Sequence, residues 1–243
     1  MLFSDYLAEK LAPFNLLKHP YYQLWNQGAL SRDTLAYYAR QYYGHVAAFP
    51  RYLSAIHTQC DNIADRQVLL GNLIEEEQGP ENHPKLWIDF AEALGSSEAA
   101  TRAEVQNPQT QVLVDRFFEL TQASYAKGLG ALYAYEHQTP KVADSKIEGL
   151  QKFYGIQEEA GLKFFKVHSS ADVWHTEEVA GLLNKLSAED RQVAEAGAVA
   201  AAEALWGFLD GILAHGPEQY DLCDGDMAAE QSAALSKAAE DLH

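Results

Sequence analysis

The chain has 243 residues, of which 47% are hydrophobic and 22% charged, an ordinary balance for one large globular domain. Its formal net charge of −17 at pH 7 would repel phosphate backbones and argues against nucleic acid as a partner. Because the sequence has no run of 18 apolar residues and no secretory signal, we expect no membrane association. Cys60 and Cys223 give no disulfide framework, so we expect a reducing, cytoplasmic setting.

Helical patterning runs through almost the whole chain, and this predicts an all-α fold with about seven principal helices. Pro20 suits the first position of a helix, where its missing N–H is not needed, and Ser31 can cap the next helix. Pro50 is expected to interrupt that helix and restart the chain. The predicted helical stretches are about 4–18 with a break at Pro13, a short helix from Pro20, and 31–48, 50–60, 61–78, 83–94, 111–137, 140–155, 158–185 and 187–215, with a polar connection at 96–108.

Glycine and proline mark the later boundaries. The pair Gly79-Pro80 should stop or kink one helix. Gly128 and Gly130 lie inside the predicted long helix, and since an interior glycine costs about 1 kcal/mol relative to alanine, we expect another element to approach closely there. We predict a single helical domain over residues 1–215 and an acidic tail, which should fray, over residues 216–243.

Three residues of the segment His168-Ser-Ser-Ala-Asp-Val-Trp-His175 have side chains that bind metals. His168, Asp172 and His175 are spaced at i, i+4 and i+7, so on a helix they fall within roughly 60° of one another. Two imidazoles and a carboxylate on one stripe can hold a transition metal. The alternative is a polar helix face that points at water, and the three residues alone do not decide between the two.

Further residues of the same chemical types lie upstream. Glu76 and His83 are two helical turns apart and could share a face across the Gly79-Pro80 break, and Glu136 lies near the end of the predicted long helix. Each taken alone could be a solvated surface residue. Together with the stripe they make three carboxylates and three imidazoles, which suit two divalent metal ions. The spacing differs from the Glu-x-x-His pattern of ferritin-like bundles.

The other histidines and cysteines, and the tyrosines, are weaker candidates for chemistry. His45 and His57 lie among apolar and aromatic residues and are interpreted as core histidines with satisfied hydrogen bonds. The tyrosine-rich stripe around Tyr38 and Tyr42 is interpreted as core packing, and Cys60 as a small core residue.

Five long motifs resemble the family of the chlamydial protein associating with death domains and its bacterial relatives. The resemblance extends from about residue 15 to residue 214. The motifs are Tyr22-Gln-Leu-Trp25, Gln41-Tyr-Tyr-Gly-His-Val-Ala-Ala-Phe-Pro-Arg-Tyr-Leu-Ser-Ala-Ile-His57, Asn72-Leu-Ile-Glu-Glu-Glu-Gln-Gly79, Leu132-Tyr-Ala-Tyr-Glu-His-Gln-Thr-Pro140 and His168-Ser-Ser-Ala-Asp-Val-Trp-His175.

The resemblance implies a seven-helix, haem-oxygenase-like fold of the TenA and PqqC type that binds no haem. It implies a homodimer and a non-haem centre of two metal ions, either two irons or iron with manganese, which works with dioxygen and an external reductant. It implies the synthesis of p-aminobenzoate for folate, with Tyr22 consumed as the ring precursor and Lys146 as a source of the amino group. The implied metal ligands are Glu76, His83, Glu136, His168, Asp172 and His175.

Four alternatives remain open on the same fold. The first is a dimetal oxidase that acts on an external small molecule, and the second is a cofactor-free, PqqC-like oxidase. The third is a thiaminase-like enzyme, which would need a cysteine nucleophile, although neither Cys60 nor Cys223 lies near Glu136 in sequence. The fourth is a helical interaction module without catalysis. Nothing in the sequence supports death-domain binding.

Overall fold

The computed structural model describes residues 1–218 and Tyr220, except for the side chains of residues 170–173. This part of the chain is all-α, as predicted, and contains no strand. Two single 3₁₀ turns, Ala12–Phe14 and Leu16–Lys18, follow the first helix. The α-helices are α1 (Phe3–Leu11), α2 (Pro20–Gln27), α3 (Arg32–Thr58), α4 (Ile63–Glu77), α5 (His83–Ala93), α6 (Glu98–Ala103), α7 (Pro108–Ala123), α8 (Tyr125–Glu136), α9 (Thr139–Phe153), α10 (Glu159–Asn184) and α11 (Ala188–His215).

The predicted number of seven helices is too low, because the described residues form eleven α-helices. One extra helix is α6, in the segment predicted as a polar connection, where the Ser97 hydroxyl caps the first turn by accepting from the Ala100 amide. Another arises because the predicted long helix is divided at Ser124, which is extended and whose hydroxyl accepts from the Lys127 amide. A serine cap can begin a new helix wherever tertiary packing turns the chain.

Helix α2 begins at Pro20 as predicted, but the expected interruption at Pro50 is wrong. Helix α3 continues through Pro50 to Thr58. An interior proline costs about 3 kcal/mol. The flanking side chains of Phe49, Tyr52 and Leu53 are buried on this helix, and burying one large apolar side chain contributes about 1.5–3 kcal/mol. Packing of α3 in the core therefore outweighs the lost backbone hydrogen bond.

Glycines bring α8 and α11 into close contact, as their positions predicted. A β-carbon at Gly130 would lie 1.9 Å from the carbonyl oxygen of Ala194, and one at Gly197 would lie 2.4 Å from the carbonyl oxygen of Lys127. The two backbones therefore touch where neither helix carries a side chain. This contact fixes α8, which ends at Glu136, against the longest helix of the bundle.

Helix α11 is long and apolar enough, by length and composition, to cross a membrane. However, 67% of its most apolar window is buried inside the bundle, which is typical of a core helix. It ends at His215, where the predicted domain ends, but most of the predicted tail lies outside the described residues. The division into domain and tail therefore stays a prediction.

His45 is buried, as predicted, but its hydrogen bonds are not satisfied as expected. Its ring lies against those of Phe117, Tyr42 and Tyr135, and neither ring nitrogen has a hydrogen-bond partner among the described residues. Burial lowers the pKa of His45 to about 3, so the ring is neutral. A neutral imidazole can be accommodated among aromatic rings at the cost of its lost hydration.

Candidate metal centre and the adjoining aromatic cavity

Helices α4 and α5 bring Glu76 and His83 together. Helix α4 ends at Glu77, and the turn that follows contains Gly79 with φ of +84°, a left-handed conformation that suits glycine. Asn82 then caps α5 by accepting from the Lys85 amide, and His83 is the first residue of that helix. The two side chains are buried, and Glu76 Oε2 lies 2.7 Å from His83 Nδ1. The predicted pairing across the break is therefore realised by a turn between two helices.

His168 of α10 completes a cluster of three. The ligand atoms of Glu76, His83 and His168 all lie within 4.8 Å of one another, and the two imidazole rings have centroids 4.4 Å apart. His168 Nδ1 lies 2.6 Å from the Phe164 carbonyl oxygen, which can only accept, so Nδ1 carries the proton and Nε2 keeps its lone pair. Burial first, and then the nearby His83, lower the pKa of His168 well below its usual value. A neutral imidazole with a fixed tautomer is the form that binds metals.

Glu136 and His175 flank this cluster. Glu136, the last residue of α8, is buried, and its Oε1 accepts a hydrogen bond of 2.6 Å from Asn72 Nδ2. Asn72 and Glu76 are one turn apart on α4, so the Glu136 carboxylate lies beside the cluster. The Thr176 hydroxyl donates to the Glu136 carbonyl oxygen at 3.1 Å and ties the end of α8 to α10.

His175 is also buried, and its Nε2 lies 3.1 Å from Glu75 Oε2. The side chain of Asp172, the remaining predicted ligand, lies outside the described residues. The structure thus brings three predicted ligands into one cluster and buries two more around it. Two carboxylates and three imidazoles buried together match the donors that iron, manganese and related divalent ions accept. Buried carboxylates are costly unless they are paired, hydrogen-bonded or bound to a cation, so a metal ion would stabilise this arrangement.

A small cavity adjoins His168. It is lined mainly by aromatic and aliphatic side chains, together with Lys146, Tyr22 and Tyr38. Its volume is about 40 Å³. A water molecule needs roughly 10–15 Å³ on this measure, and a cavity that binds benzene has roughly 150 Å³. The cavity can therefore hold dioxygen or a few waters, but not an additional aromatic ring.

Lys146 of α9 is buried in this cavity among aromatic rings. Its ammonium nitrogen donates to the Tyr38 hydroxyl and lies 4.9 Å from the Tyr38 ring centroid, 5.1 Å from that of Phe165 and 5.7 Å from that of Tyr22. Burial lowers the pKa of Lys146 to about 7. A large fraction of the amine is therefore neutral near pH 7, and the side chain lies in the interior and not at the surface.

Tyr22 is buried on α2 and lines the same cavity. The start of α2 is fixed by His19, whose Nδ1 accepts from the Tyr21 amide while its Nε2 lies 3.0 Å from Asp210 of α11. Burial raises the pKa of the Tyr22 phenol, and a hydrogen bond with Tyr38 partly opposes this. The phenol is therefore neutral, and Tyr38 links it to Lys146.

Sequence reasoning missed three residues that contact the predicted site. Tyr38 was interpreted as core packing only, and helical periodicity does not separate a cavity wall from a packed core. Asn72 could have been found, because it precedes Glu76 by one turn on the same face of α4. Glu75 was not singled out from the sequence, because its contact with His175 depends on how α10 packs against α4.

Comparisons with known proteins identify the family to which the chain belongs. A family model described as iron-containing redox enzyme matches residues 36–207. The chain belongs to this family of enzymes. It is 41% identical to a 4-aminobenzoate synthase of Nitrosomonas europaea over 82% of this chain and 85% of the relative. It is 39% identical to a 4-aminobenzoate synthase of Chlamydia muridarum over 88% of this chain and 91% of the relative.

Solved structures confirm the haem-oxygenase-like fold. A CADD-like protein of unknown function from Nostoc punctiforme superposes with a TM-score of 0.75 at 19% identity, over 89% of this chain and 97% of that one. A domain with a heme oxygenase-like fold from Shewanella denitrificans superposes with a TM-score of 0.71 at 16% identity, over 88% and 89%. Together with the family match and the relatives at 39% and 41% identity, they confirm the resemblance inferred from the five motifs.

Proposed function

We propose that this chain, as a member of the iron-containing redox enzyme family, makes 4-aminobenzoate (p-aminobenzoate) with a dimetal centre and takes Tyr22 as the ring precursor. The observation that carries the proposal is the joint lining of one small cavity by Tyr22, Lys146 and His168. The relatives of this chain at 39% and 41% identity are 4-aminobenzoate synthases, and they are the basis for the proposed product.

The centre is proposed to hold two divalent ions, either two irons or iron with manganese, with donors from the six predicted residues. Such ions, with dioxygen and an external reductant, would supply the oxidising chemistry. The proposal includes no haem, because the six side chains are assigned to the two ions. The ligands are Glu76, His83, Glu136, His168, Asp172 and His175.

The substrate is proposed to be internal because the ring is already in place. A tyrosine side chain contains the benzene ring and one attached carbon of 4-aminobenzoate. Its conversion needs cleavage of the Cα–Cβ bond, oxidation of Cβ to a carboxylate, and replacement of the phenolic oxygen by nitrogen. A cavity of about 40 Å³ has no space for a second ring beside Tyr22. A tyrosine fixed at the site also has the effective-concentration advantage of an intramolecular reactant.

Lys146 is the proposed source of the nitrogen. Its Nζ would bond to the ring carbon while the phenolic oxygen leaves as water, and its Cε–Nζ bond would then be broken by oxidation, with dioxygen as the oxidant, and by hydrolysis, which leaves an aldehyde on the chain. Its amine shares the cavity with the Tyr22 ring at 5.7 Å from the centroid. A pKa of about 7 leaves a large neutral fraction, and the neutral amine is the nucleophilic form. The hydrogen bond to Tyr38 orients the nitrogen.

Complementation of a p-aminobenzoate auxotroph tests the proposal. We expect Tyr22→Phe to abolish growth without added p-aminobenzoate, because the Phe ring lacks the phenolic oxygen that nitrogen must replace. Tyr21→Phe is the matched control, since Tyr21 is the preceding residue on the same helix and is equally buried. Full complementation by Tyr22→Phe would contradict the internal substrate and favour an external one.

We further propose a cytoplasmic location and a homodimer. The buried free thiol of Cys60 is compatible with a reducing compartment. The homodimer rests on the family resemblance alone, and size-exclusion chromatography with light scattering would test it.

A further inference from the structure

Glu75 contacts His175, one of the proposed metal ligands, although it is absent from the proposed ligand set. Its Oε2 lies 3.1 Å from Nε2 of His175, and its side chain is 53% exposed while that of His175 is 4% exposed. On α4 it precedes Glu76, so the two side chains point about 100° apart. Glu76 faces the interior cluster, and Glu75 extends along the flank of α4 to α10.

The described ligands are otherwise enclosed. Glu76, His83, Glu136, His168 and His175 are all buried. A hydrated divalent ion must exchange its waters for these donors, and it needs a route from solvent to reach them. Glu75 has one end in solvent and the other in contact with a buried ligand. The chain's net charge of −17 also favours the approach of cations.

The contact has the spacing of two donors that can share one ion. Metal–oxygen and metal–nitrogen bonds of about 2.0–2.2 Å place neighbouring donor atoms roughly 3 Å apart. The His175 atom that faces Glu75 is Nε2, which lies at the outer tip of the ring and binds metals when it is deprotonated. A cation captured by the Glu75 carboxylate would therefore already be within reach of His175.

We propose that Glu75 is a metal-loading carboxylate: it captures the hydrated ion at the surface and transfers it to His175, and it is not a permanent ligand. This proposal rests on the dimetal centre of the proposed function. It distinguishes Glu75 from Glu77, which has the same charge and is also exposed, but lies on the other side of Glu76.

The test is the rate of Co²⁺ uptake by metal-free protein, followed by ligand-field absorption after rapid mixing, with final metal content measured by elemental analysis. We compare the wild type with Glu75→Gln and Glu77→Gln. We expect Glu75→Gln to slow uptake roughly tenfold, at the lower end of the effect of local charge on association rates. The final stoichiometry should equal that of the wild type, and Glu77→Gln should load at the wild-type rate.

Three outcomes would overturn the loading role while leaving the dimetal centre intact. These are equal uptake rates in Glu75→Gln and wild type, equal slowing in both variants, and a lower final stoichiometry in Glu75→Gln, which would make Glu75 a permanent ligand. If the wild type itself takes up no Co²⁺, the dimetal centre fails and the loading role fails with it. Circular dichroism of the metal-free variants checks that each is folded.

Discussion

Replacing Asn72 by leucine should weaken metal binding without unfolding the protein. Asn72 Nδ2 donates to Glu136 Oε1 at 2.6 Å, and both residues are buried. A hydrogen bond to a charged group contributes about 1.5–3 kcal/mol. Without it the Glu136 carboxylate loses a hydrogen bond that orients it toward the cluster and that offsets part of its desolvation.

The expected magnitude follows from that hydrogen bond. A loss of about 1.5–3 kcal/mol corresponds to roughly a tenfold to hundredfold change in an equilibrium constant. The same range, about 10–100-fold, is typical when a residue that supports a metal ligand is removed. We therefore expect Asn72→Leu to lower the affinity of at least one metal ion by about one to two orders of magnitude.

The assay is competition between the protein and a chelator for Mn²⁺, with Leu69→Ala as the control. Leu69 is buried one turn before Asn72 on α4, and its truncation should cost about 2–5 kcal/mol of stability through a cavity. It should leave the metal affinity of the folded protein near that of the wild type. Wild-type affinity in Asn72→Leu, or an equal loss of affinity in Leu69→Ala, would refute the assigned role of the amide.

Two further predictions concern stability. The pKa of Lys146 is lowered to about 7 in the folded state and is near its usual value in the unfolded state. Between these two pKa values the unfolded chain binds more protons than the folded protein. The free energy of unfolding should therefore rise by up to about 1.4 kcal/mol per pH unit above pH 7. Urea unfolding at pH 7.5 and 9 should show that Lys146→Met loses this rise, and an unchanged slope would contradict the buried, depressed amine. Gly130→Ala should lower the melting temperature through about 1–3 kcal/mol of overpacking against Ala194. Gly71→Ala on α4, where a β-carbon meets open space, should raise the melting temperature through up to about 1 kcal/mol of added stability. A change of the same sign in both variants would argue against a close α8–α11 contact.

Much of the fold follows from local signals. Pro20 begins α2 and Ser187 caps α11 because the first turn of a helix favours these residue types wherever they occur. Gly128 and Gly130 of α8 also predict a close contact with another helix, although the sequence does not identify that helix as α11. The interruption predicted at Pro50 and the undivided helix predicted through Ser124 are both wrong. The continuity of α3 and the division between α7 and α8 depend on the tertiary packing around these two residues.

The residues of the candidate site also fall into two groups: those that the sequence predicts and those that depend on tertiary packing. Glu76, His83 and His168 could be chosen from residue type and spacing, because metal ligands belong to few side-chain classes. The interior position of Lys146 could not, because a lysine on an amphipathic helix is ordinarily solvated and its burial depends on the rings of Tyr38 and Phe165, which belong to other helices. Nor does sequence reveal that Tyr38 connects Lys146 to Tyr22.

The most direct test of the proposed function is peptide mass mapping after reaction. Metal-free protein is loaded with ferrous iron, alone and with manganese, and is then exposed to reductant and dioxygen with no aromatic compound added. The proposal predicts loss of side-chain mass at Tyr22, an intact Tyr21, and release of p-aminobenzoate in no more than a one-to-one ratio to the chain. Repeated turnover with Tyr22 intact, or an unmodified Tyr22 in metal-loaded and oxygenated protein, would contradict it.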